Sequence, residues 1–148
     1  MNVILLGEAG TGKSSFVNVL KGGGITNVPT IGMDFQPFQR YRIWDTAGQE
    51  RFKAIGRGYY RQADVALIFF SANDPKSYEG AIEWENDFKQ HSERPTILVA
   101  NKADLGKADE GVHISCKNKH IQPVLDKLEK IETKKKSPQI VRRKCSCY

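Results

Sequence analysis

The sequence has few cysteines and no long apolar stretch, and each absence excludes a class of protein. Three cysteines in 148 residues are too few for a disulfide-stapled fold, so we expect Cys116, Cys145 and Cys147 to be thiols. No apolar run approaches the roughly 20 residues that a membrane-spanning helix needs. The apolar run at residues 3–6 is too short for a signal peptide. We therefore expect a cytosolic protein.

Most of the chain also lacks an excess of charge of either sign. The sequence has 23 basic and 17 acidic residues, for a net charge of +6. Six of the basic residues and none of the acidic residues lie in residues 133–148, so the remainder is neutral. A nucleic-acid-binding domain usually carries a basic stripe on its folded face, so we expect no specific nucleic acid partner. The tail alone would support only weak, salt-sensitive binding.

The sequence does contain short apolar runs that alternate with amphipathic stretches. This alternation predicts an α/β fold with a mainly parallel central sheet flanked by helices. The length suits one domain, which we assign to residues 1–133, followed by a disordered basic tail at residues 134–148. Strands are predicted at residues 3–6, 33–36, 40–44, 65–70 and 96–100, a tight connection at 37–39, and helices at 13–21, 77–90 and 119–133.

The most specific motif is GEAGTGKS at residues 7–14, which matches the form G-x-x-x-x-G-K-[ST]. It follows an apolar strand and precedes a helix, which is the context that a phosphate-binding loop requires. Backbone N–H groups of the loop and the N-terminus of the helix favour a polyphosphate. Lys13 is placed to reach the outer phosphates, and the Ser14 hydroxyl to coordinate Mg²⁺. The motif predicts a nucleoside triphosphate site.

A second motif, NKAD at residues 101–104, favours GTP over ATP. The Asp104 carboxylate would accept hydrogen bonds from N1–H and the 2-amino group of guanine, and adenine lacks this donor pair. Asn101 would tie the loop together or reach the purine, and the stem of Lys102 would cover one ring face. Four such letters also occur in surface turns. Downstream of a phosphate-binding loop, at the edge where α/β sheets bind ligands, they predict a guanine site.

The string DTAGQE at residues 45–50 directly follows a predicted strand. An aspartate at a strand end, here Asp45, is the expected partner of a magnesium site. Gly48 would offer a backbone N–H to the γ-phosphate, and Gln49 would orient the attacking water. An acidic turn would account for Asp45 alone but not for the six-residue string.

These motifs together resemble those of the Ras-like small GTPases, and within them the Rab family, from about residue 3 to about residue 130. The most Rab-like strings are TIGMDF at 30–35, IWDTAGQERF at 43–52 and YYR at 59–61. The resemblance implies the small-GTPase fold and a GTP/GDP switch in vesicle trafficking with slow, activator-dependent hydrolysis. It also implies Mg²⁺, a monomer, and exchange factors, activating proteins and effectors as partners.

The resemblance assigns roles to individual residues. The catalytic residues are Lys13, Thr30 and Gln49, and the magnesium-binding residues are Ser14, Thr30 and Asp45. The GTP-binding residues are Gly10, Thr11, Gly12, Lys13, Ser14, Ser15, Thr30, Gly48, Asn101, Lys102, Asp104, Ser115, Cys116 and Lys117. SCK at 115–117 stands for the family's S-A-K, in which the middle N–H contacts guanine O6. No internal arginine finger is assigned, because Arg51 and Arg57 are expected to be solvated.

The same resemblance implies that Ile31, Phe35, Trp44 and Tyr59 form a patch that effectors bind. From the residues alone, the three aromatic side chains would equally often be core or hairpin-face residues, and both interpretations could apply in part.

Three departures from the family pattern lie near the expected site. The segment between Ser14 and Thr30 is short, and Gly23 stands where an aromatic residue would pack against guanine. The strand pair before Trp44 is shortened. Only ten residues separate Asp104 from Ser115, too few for the family's helix there, so we expect that helix to be absent. A non-catalytic or weakly binding GTP module derived from a Rab is therefore the alternative function.

The tail carries a C-x-C pair, Cys145 and Cys147, behind the basic residues 142–144. This pair resembles the doubly prenylated Rab terminus. It implies geranylgeranyl groups on both cysteines, added by the prenylation machinery, and attachment to the cytoplasmic face of an intracellular membrane with cycling to the cytosol. As a C-a-a-X signal, Cys145 would be the single target, but Tyr148 is not a usual final residue. A solvated tail with incidental cysteines is the other alternative.

Overall fold

The structure is a computed structural model that describes residues 1–48 and 53–136, and the side chains of all these residues except 53–55. The strands are β1 (Asn2–Gly7), β2 (Met33–Phe38), β3 (Tyr41–Thr46), β4 (Val65–Ser71), β5 (Thr96–Asn101) and β6 (Val112–His113), and the helices are α1 (Lys13–Leu20), α2 (Lys53–Tyr60), α3 (Pro75–His91) and α4 (Gln122–Lys136). Within these ranges, no helix combines the length and the apolar content that a membrane crossing requires.

The strands form one sheet in the order β2-β3-β1-β4-β5-β6. Only the β2–β3 pair of these strands is antiparallel, which confirms the mainly parallel α/β fold. Strand β4 is buried at every position because layers cover both of its faces, as expected for an apolar run at the centre of a parallel sheet. The pairing of Ser71 with Asn101 and of Leu5 with Asp45 aligns the carboxyl ends of the parallel strands at one edge.

Two apolar clusters cover the two faces of the sheet. Alternate residues of β1 contribute to them, with Leu5 in one cluster and Leu6 in the other. The first cluster includes Phe16 of α1 and Leu128 of α4, and the second includes Trp84 of α3. Helices α1 and α4 therefore pack against one face of the sheet, and helix α3 packs against the other.

The hairpin at the sheet edge differs from the predicted one. Strand β2 extends through Pro37, which pairs with Arg42, and the turn lies at residues 39–40 with Gln39 at φ 50°. Proline cannot donate a ladder hydrogen bond, but an edge strand leaves every second N–H unpaired, so Pro37 is tolerated in β2. The prediction that residues 37–39 form the connection was therefore wrong: the turn begins two residues later and ends one residue later.

The last helix also ends later than predicted. Helix α4 continues through Lys136, so the first three residues of the predicted tail are helical. Lysine side chains in a last helical turn interact favourably with the helix dipole. Lys135 in addition pairs with Asp64 at 2.5 Å, and Lys136 with Glu132 at 3.5 Å. The rest of the tail, including Cys145 and Cys147, lies outside the described residues.

The segment between Asp104 and Ser115 contains no helix, as predicted from its length. It instead contributes the short strand β6, in which Val112 pairs with Val99 of β5. Neither β6 nor helix α2 was predicted. Two glycines within α2, Gly56 and Gly58, lower its intrinsic helix propensity and conceal it in the sequence.

Candidate nucleotide-binding site

A cavity of about 370 Å³ opens at the carboxyl edge of the sheet. Its walls come from the loop between β1 and α1, the segment before β2, and the loops after β5 and β6. The cavity is lined by most of the residues that the sequence assigns to nucleotide binding: Gly10, Gly12, Lys13, Ser14, Ser15, Thr30, Gly48, Asn101, Lys102, Asp104, Cys116 and Lys117. The structure thus brings together residues that are more than 100 positions apart.

Thr11 and Ser115 are the two assigned residues that do not line this cavity, and both are buried. Each instead contacts a residue that does. The Ser115 hydroxyl donates to Asp104 Oδ1 at 2.7 Å, and the Thr11 carbonyl accepts from Asn101 Nδ2 at 3.0 Å. These two residues therefore orient the cavity lining rather than form it.

The loop between β1 and α1 depends on glycine at two positions. Gly10 and Gly12 have φ of 78° and 95°, which other residues rarely adopt. A Cβ at Gly12 would also overlap the Asn101 amide. Helix α1 starts at Lys13 without a side-chain cap, which leaves the N–H groups of its first turn to an anion.

Lys13 is buried at the cavity wall, where its ammonium donates to the carbonyls of Gly7 and Glu8, both at 2.9 Å. Burial lowers the pKa of Lys13 to about 8, against the opposing effect of the Asp45 and Glu8 carboxylates. The side chain is thus held as a cation at neutral pH and loses its charge as the pH rises through about 8.

Three oxygen-bearing side chains meet beside the start of α1. The Ser14 hydroxyl lies 2.6 Å from Thr30 Oγ1 and donates to Asp45 Oδ2 at 2.5 Å, and Thr30 donates to the same oxygen at 3.3 Å. Burial raises the pKa of Asp45, while these hydrogen bonds and Lys13 favour its ionised form.

The second carboxylate oxygen of Asp45, Oδ1, is buried and has no hydrogen-bond partner among the described residues. An unsatisfied anionic oxygen beside the hydroxyls of Ser14 and Thr30 is a donor set that suits a hard divalent cation such as Mg²⁺. The residues present therefore fit the implied ion.

Asn101 connects three loops at the opposite end of the cavity. Besides its bond to Thr11, its Oδ1 accepts from the Cys116 N–H at 3.2 Å. The resemblance assigned this N–H to guanine O6. In the structure, the N–H donates to Asn101 Oδ1 instead. Burial raises the pKa of the Cys116 thiol to about 12, so the side chain is a neutral thiol at physiological pH.

Sequence reasoning missed an apolar part of the cavity wall. Ile25, Val28 and Leu105 line the cavity although their exposures are 55%, 76% and 60%. The segment that carries the first two is tethered to α1, because the Ser15 hydroxyl donates to the Thr26 carbonyl at 3.1 Å and accepts from its N–H at 3.0 Å. The available signal in the sequence was the pair of apolar residues Ile25 and Val28 after the glycines at 22–24, and Leu105 had no such signal.

The aromatic patch predicted for effectors is assembled in the structure. The Trp44 ring lies 5.1 Å from that of Phe35 and 4.6 Å from that of Tyr59, measured between centroids. Phe35 is 45% exposed, and Ile31 is 82% exposed. Trp44 and Tyr59 also pack against the second apolar cluster, so these aromatics are both surface and core residues.

Four residues considered in the sequence analysis, Gly48, Gln49, Arg51 and Arg57, follow β3 in the chain. Gln49 and Arg51 are outside the described residues. Gly48 contacts the phosphate-binding loop closely: its carbonyl accepts from Ala9 N–H at 3.0 Å, and a Cβ at Gly48 would overlap Ala9. Arg57 is partly solvated, as expected, with its side chain 45% exposed, and its guanidinium also pairs with Asp87 at 2.6 Å.

Comparison with known proteins gives consistent matches. Residues 2–139 match the Ras family. The chain is 38% identical to human Ras-related protein Rab-9B over an alignment of 124 residues that covers 70% of this chain and 60% of the relative. It is 35% identical to Ras-related protein RabC of Dictyostelium discoideum over 117 residues, with the same coverages of 70% and 60%. It is 30% identical to Ypt/Rab-type GTPase ypt71 of Schizosaccharomyces pombe over 140 residues, covering 81% of this chain and 67% of the relative. The chain thus spans about 60–67% of the length of these relatives.

Proposed function

We propose that this chain, which belongs to the Ras family in its Rab branch, binds GTP and GDP with Mg²⁺ and acts as a molecular switch in intracellular membrane traffic. Members of the family are GTPases, and one relative is named a Ypt/Rab-type GTPase. The observation that carries the proposal is the placement of Lys13, Ser14, Thr30 and Asp104 on one cavity.

The described contacts support a division of the cavity into a phosphate end and a base end. At the phosphate end, the buried Lys13 ammonium and the free N–H groups of α1 would bind the β- and γ-phosphates. At the base end, the Asp104 carboxylate, oriented by Ser115, would accept the two guanine donors. Adenine would leave the carboxylate unpaired, which accounts for selectivity.

Ser14 and Thr30 would ligate Mg²⁺ directly, and Asp45 would accept hydrogen bonds from the ion's water shell or bind it. When bound, the ion neutralises charge on the β- and γ-phosphate oxygens. Because Thr30 belongs to the segment before β2, its attachment would depend on which nucleotide occupies the cavity.

For hydrolysis, Gln49 is proposed to orient the attacking water, with Lys13 and Thr30 as the other catalytic residues. Turnover without an activator would be slow, because no arginine is among the described residues that line the cavity, and Arg57 is paired with Asp87. The activating protein would supply that charge. A weakly binding, non-catalytic module remains the second candidate, favoured by the flexible glycines 22–24 and by aliphatic Ile25 at the cavity.

The proposed partners would bind different parts of the chain. Effectors would bind Ile31, Phe35, Trp44 and Tyr59, and exchange factors and activating proteins would act at the nucleotide cavity. The tail would attach a monomeric chain to the cytoplasmic face of an intracellular membrane through prenyl groups on its cysteine pair, with cycling to the cytosol.

The test is single-turnover hydrolysis of GTP by the purified chain, with the bound nucleotide identified by chromatography. We expect co-purified GDP or GTP, slow conversion to GDP, and rejection of ATP. Equal binding of ATP and GTP contradicts the guanine site. Tight GTP binding that is never followed by hydrolysis, even with an activating protein, favours the second candidate.

A further inference from the structure

Glu8 occupies one of the positions that the phosphate-binding motif leaves free, yet it contacts several residues of the loop. Its carbonyl accepts from Lys13 Nζ at 2.9 Å and from the Thr11 hydroxyl at 2.8 Å. A shift of the Glu8 main chain would therefore displace both side chains. Lys13 is the one that lines the cavity.

The Glu8 side chain is held in turn by helix α3. Trp84 is 2% exposed, and its indole N–H donates to Glu8 Oε1 at 3.2 Å. One turn earlier, Gly80 leaves room for the same carboxyl group: a Cβ there would lie 2.7 Å from Glu8 Cγ and 2.8 Å from Oε1. Residues four apart share a helix face, so Gly80 and Trp84 form one seat for the carboxylate.

Glu8 thus lies between helix α3, which its side chain contacts, and Lys13, which its carbonyl contacts. Helix α3 itself contributes no residue to the described cavity lining. Its connection to the phosphate end runs through Glu8.

We infer that Gly80 and Trp84 are positioning residues for the phosphate end of the site: they fix Glu8, and the Glu8 carbonyl holds the Lys13 ammonium. This inference rests on the proposed nucleotide binding and assigns to helix α3 a part in nucleotide affinity. Neither residue belongs to a nucleotide-binding motif of the sequence.

The first test is a double-mutant cycle on GDP affinity in the presence of Mg²⁺, with Trp84→Phe, Glu8→Ala and the combined variant. Trp84→Phe keeps the aromatic ring and removes the N–H donor. We expect it to weaken GDP binding by about 3–10-fold, the usual effect of one ordinary hydrogen bond, because Trp84 acts on the nucleotide only through Glu8. In the Glu8→Ala background the same substitution should have no further effect, because the acceptor is gone.

Two further variants separate this effect from a general loss of packing. Gly80→Ala leaves the indole in place and displaces the carboxylate, so it should weaken GDP binding even where Trp84→Phe fails to fold. Glu83→Gln is the matched control, because it neutralises an exposed carboxylate beside Trp84 on α3. It should bind GDP like the parent chain.

The second readout is rescue by a conservative variant. Glu8→Gln keeps a side-chain oxygen that can accept from the Trp84 N–H, so it should bind GDP like the parent chain, whereas Glu8→Ala should bind it more weakly. A merely structural role of Trp84 would lower thermal stability without making these two Glu8 variants differ in GDP affinity.

Each outcome has one meaning. Additive effects of Trp84→Phe and Glu8→Ala, or equal GDP affinity of Glu8→Gln and Glu8→Ala, overturn the inference and leave the proposed function intact. A parent chain that binds no guanine nucleotide overturns the proposed function, and the inference with it.

Discussion

Asp104 shows how a motif residue depends on a neighbour that the motif does not contain. A carboxylate at a loop would rotate freely, but the buried Ser115 hydroxyl donates to Asp104 Oδ1 at 2.7 Å. Ser115 also accepts from the Asn118 N–H at 3.2 Å, so its own orientation is fixed by the backbone. The role of Ser115 at the proposed guanine site is therefore to present Asp104.

This arrangement predicts graded losses of GDP affinity. Asp104→Ala should cost about 1–3 kcal/mol, because guanine donors are left unpaired. Ser115→Ala should cost about 1 kcal/mol, or roughly fivefold in the dissociation constant, because Asp104 remains but is less well oriented. Isothermal titration with GDP measures both losses. Ser92→Ala, before β5 at the opposite edge of the sheet, is the control, and a Ser115→Ala loss as large as that of Asp104→Ala would contradict the positioning role.

Residue-level prediction from sequence succeeded where one local motif carries the chemistry. The phosphate-binding loop and NKAD were identified because each is a short string beside a predicted strand. The pairs Glu8–Trp84 and Ser15–Thr26 were not, since no local pattern specifies which distant side chain a hydrogen bond reaches. The Cys116 N–H was assigned to the base by resemblance, and its bond to Asn101 likewise depends on the tertiary fold.

Helix α2 shows the same limit at the scale of an element. Its glycines disfavour a helix, but contacts with α3 stabilise it: Arg57 forms a two-pronged pair with Asp87, and the Tyr60 hydroxyl donates to the same carboxylate at 2.9 Å. Burial and Asp87 together raise the pKa of Tyr60, so it stays a neutral donor. Tertiary contacts that lie 27–30 residues apart here outweigh local propensity.

Replacing Asp87 should therefore destabilise the chain more than replacing Arg57, because Asp87 accepts from both Arg57 and Tyr60. Asp87→Ala leaves the buried Tyr60 hydroxyl and the Arg57 guanidinium without their shared acceptor. The expected cost is about 2–4 kcal/mol in unfolding free energy. Arg57→Ala should cost less, because Arg57 is partly solvated and its ion pair is screened by water. Urea unfolding measures both, with exposed Arg61→Ala as control. Equal stability of Asp87→Ala and the parent would show that the contact does not hold α2.

The segment before β2 is the element that we expect to respond to nucleotide. Glycines 22–24 raise its conformational entropy. Described hydrogen bonds attach it to α1, from Ser15 to Thr26 and between Ser14 and Thr30. Limited proteolysis should cut residues 25–30 faster with GDP than with a non-hydrolysable GTP analogue. In Thr30→Ala the difference should disappear, because the γ-phosphate no longer orders the segment. Equal cutting of the parent in both states would contradict a working switch.

At the scale of the whole molecule, the parallel sheet explains why motifs separated in sequence share one cavity. Because β1, β3, β4 and β5 run parallel, the residues that follow them meet at one edge. The sequence predicts that edge from its strand-end motifs, and the antiparallel hairpin from its short connection. The lateral strand order was not predictable from periodicity, since every central strand is an apolar run that could pair with any other.

In the proposed function, the tail would determine where the whole molecule acts. Helix α4 ends at Lys136, so eight residues separate it from Cys145, a reach of about 30 Å when extended. One prenyl chain anchors a protein only marginally, whereas two chains with a basic segment anchor it stably.

We therefore expect two prenyl additions by mass spectrometry in protein from a eukaryotic host, at Cys145 and Cys147, and membrane association in cell fractionation. Cys147→Ser should release part of the protein to the cytosol, and replacing both cysteines should release nearly all of it. Cys116→Ser is the control for thiol chemistry, because that buried cysteine should carry no lipid. Stable membrane association of an unmodified tail would show that the anchor lies in another part of the chain.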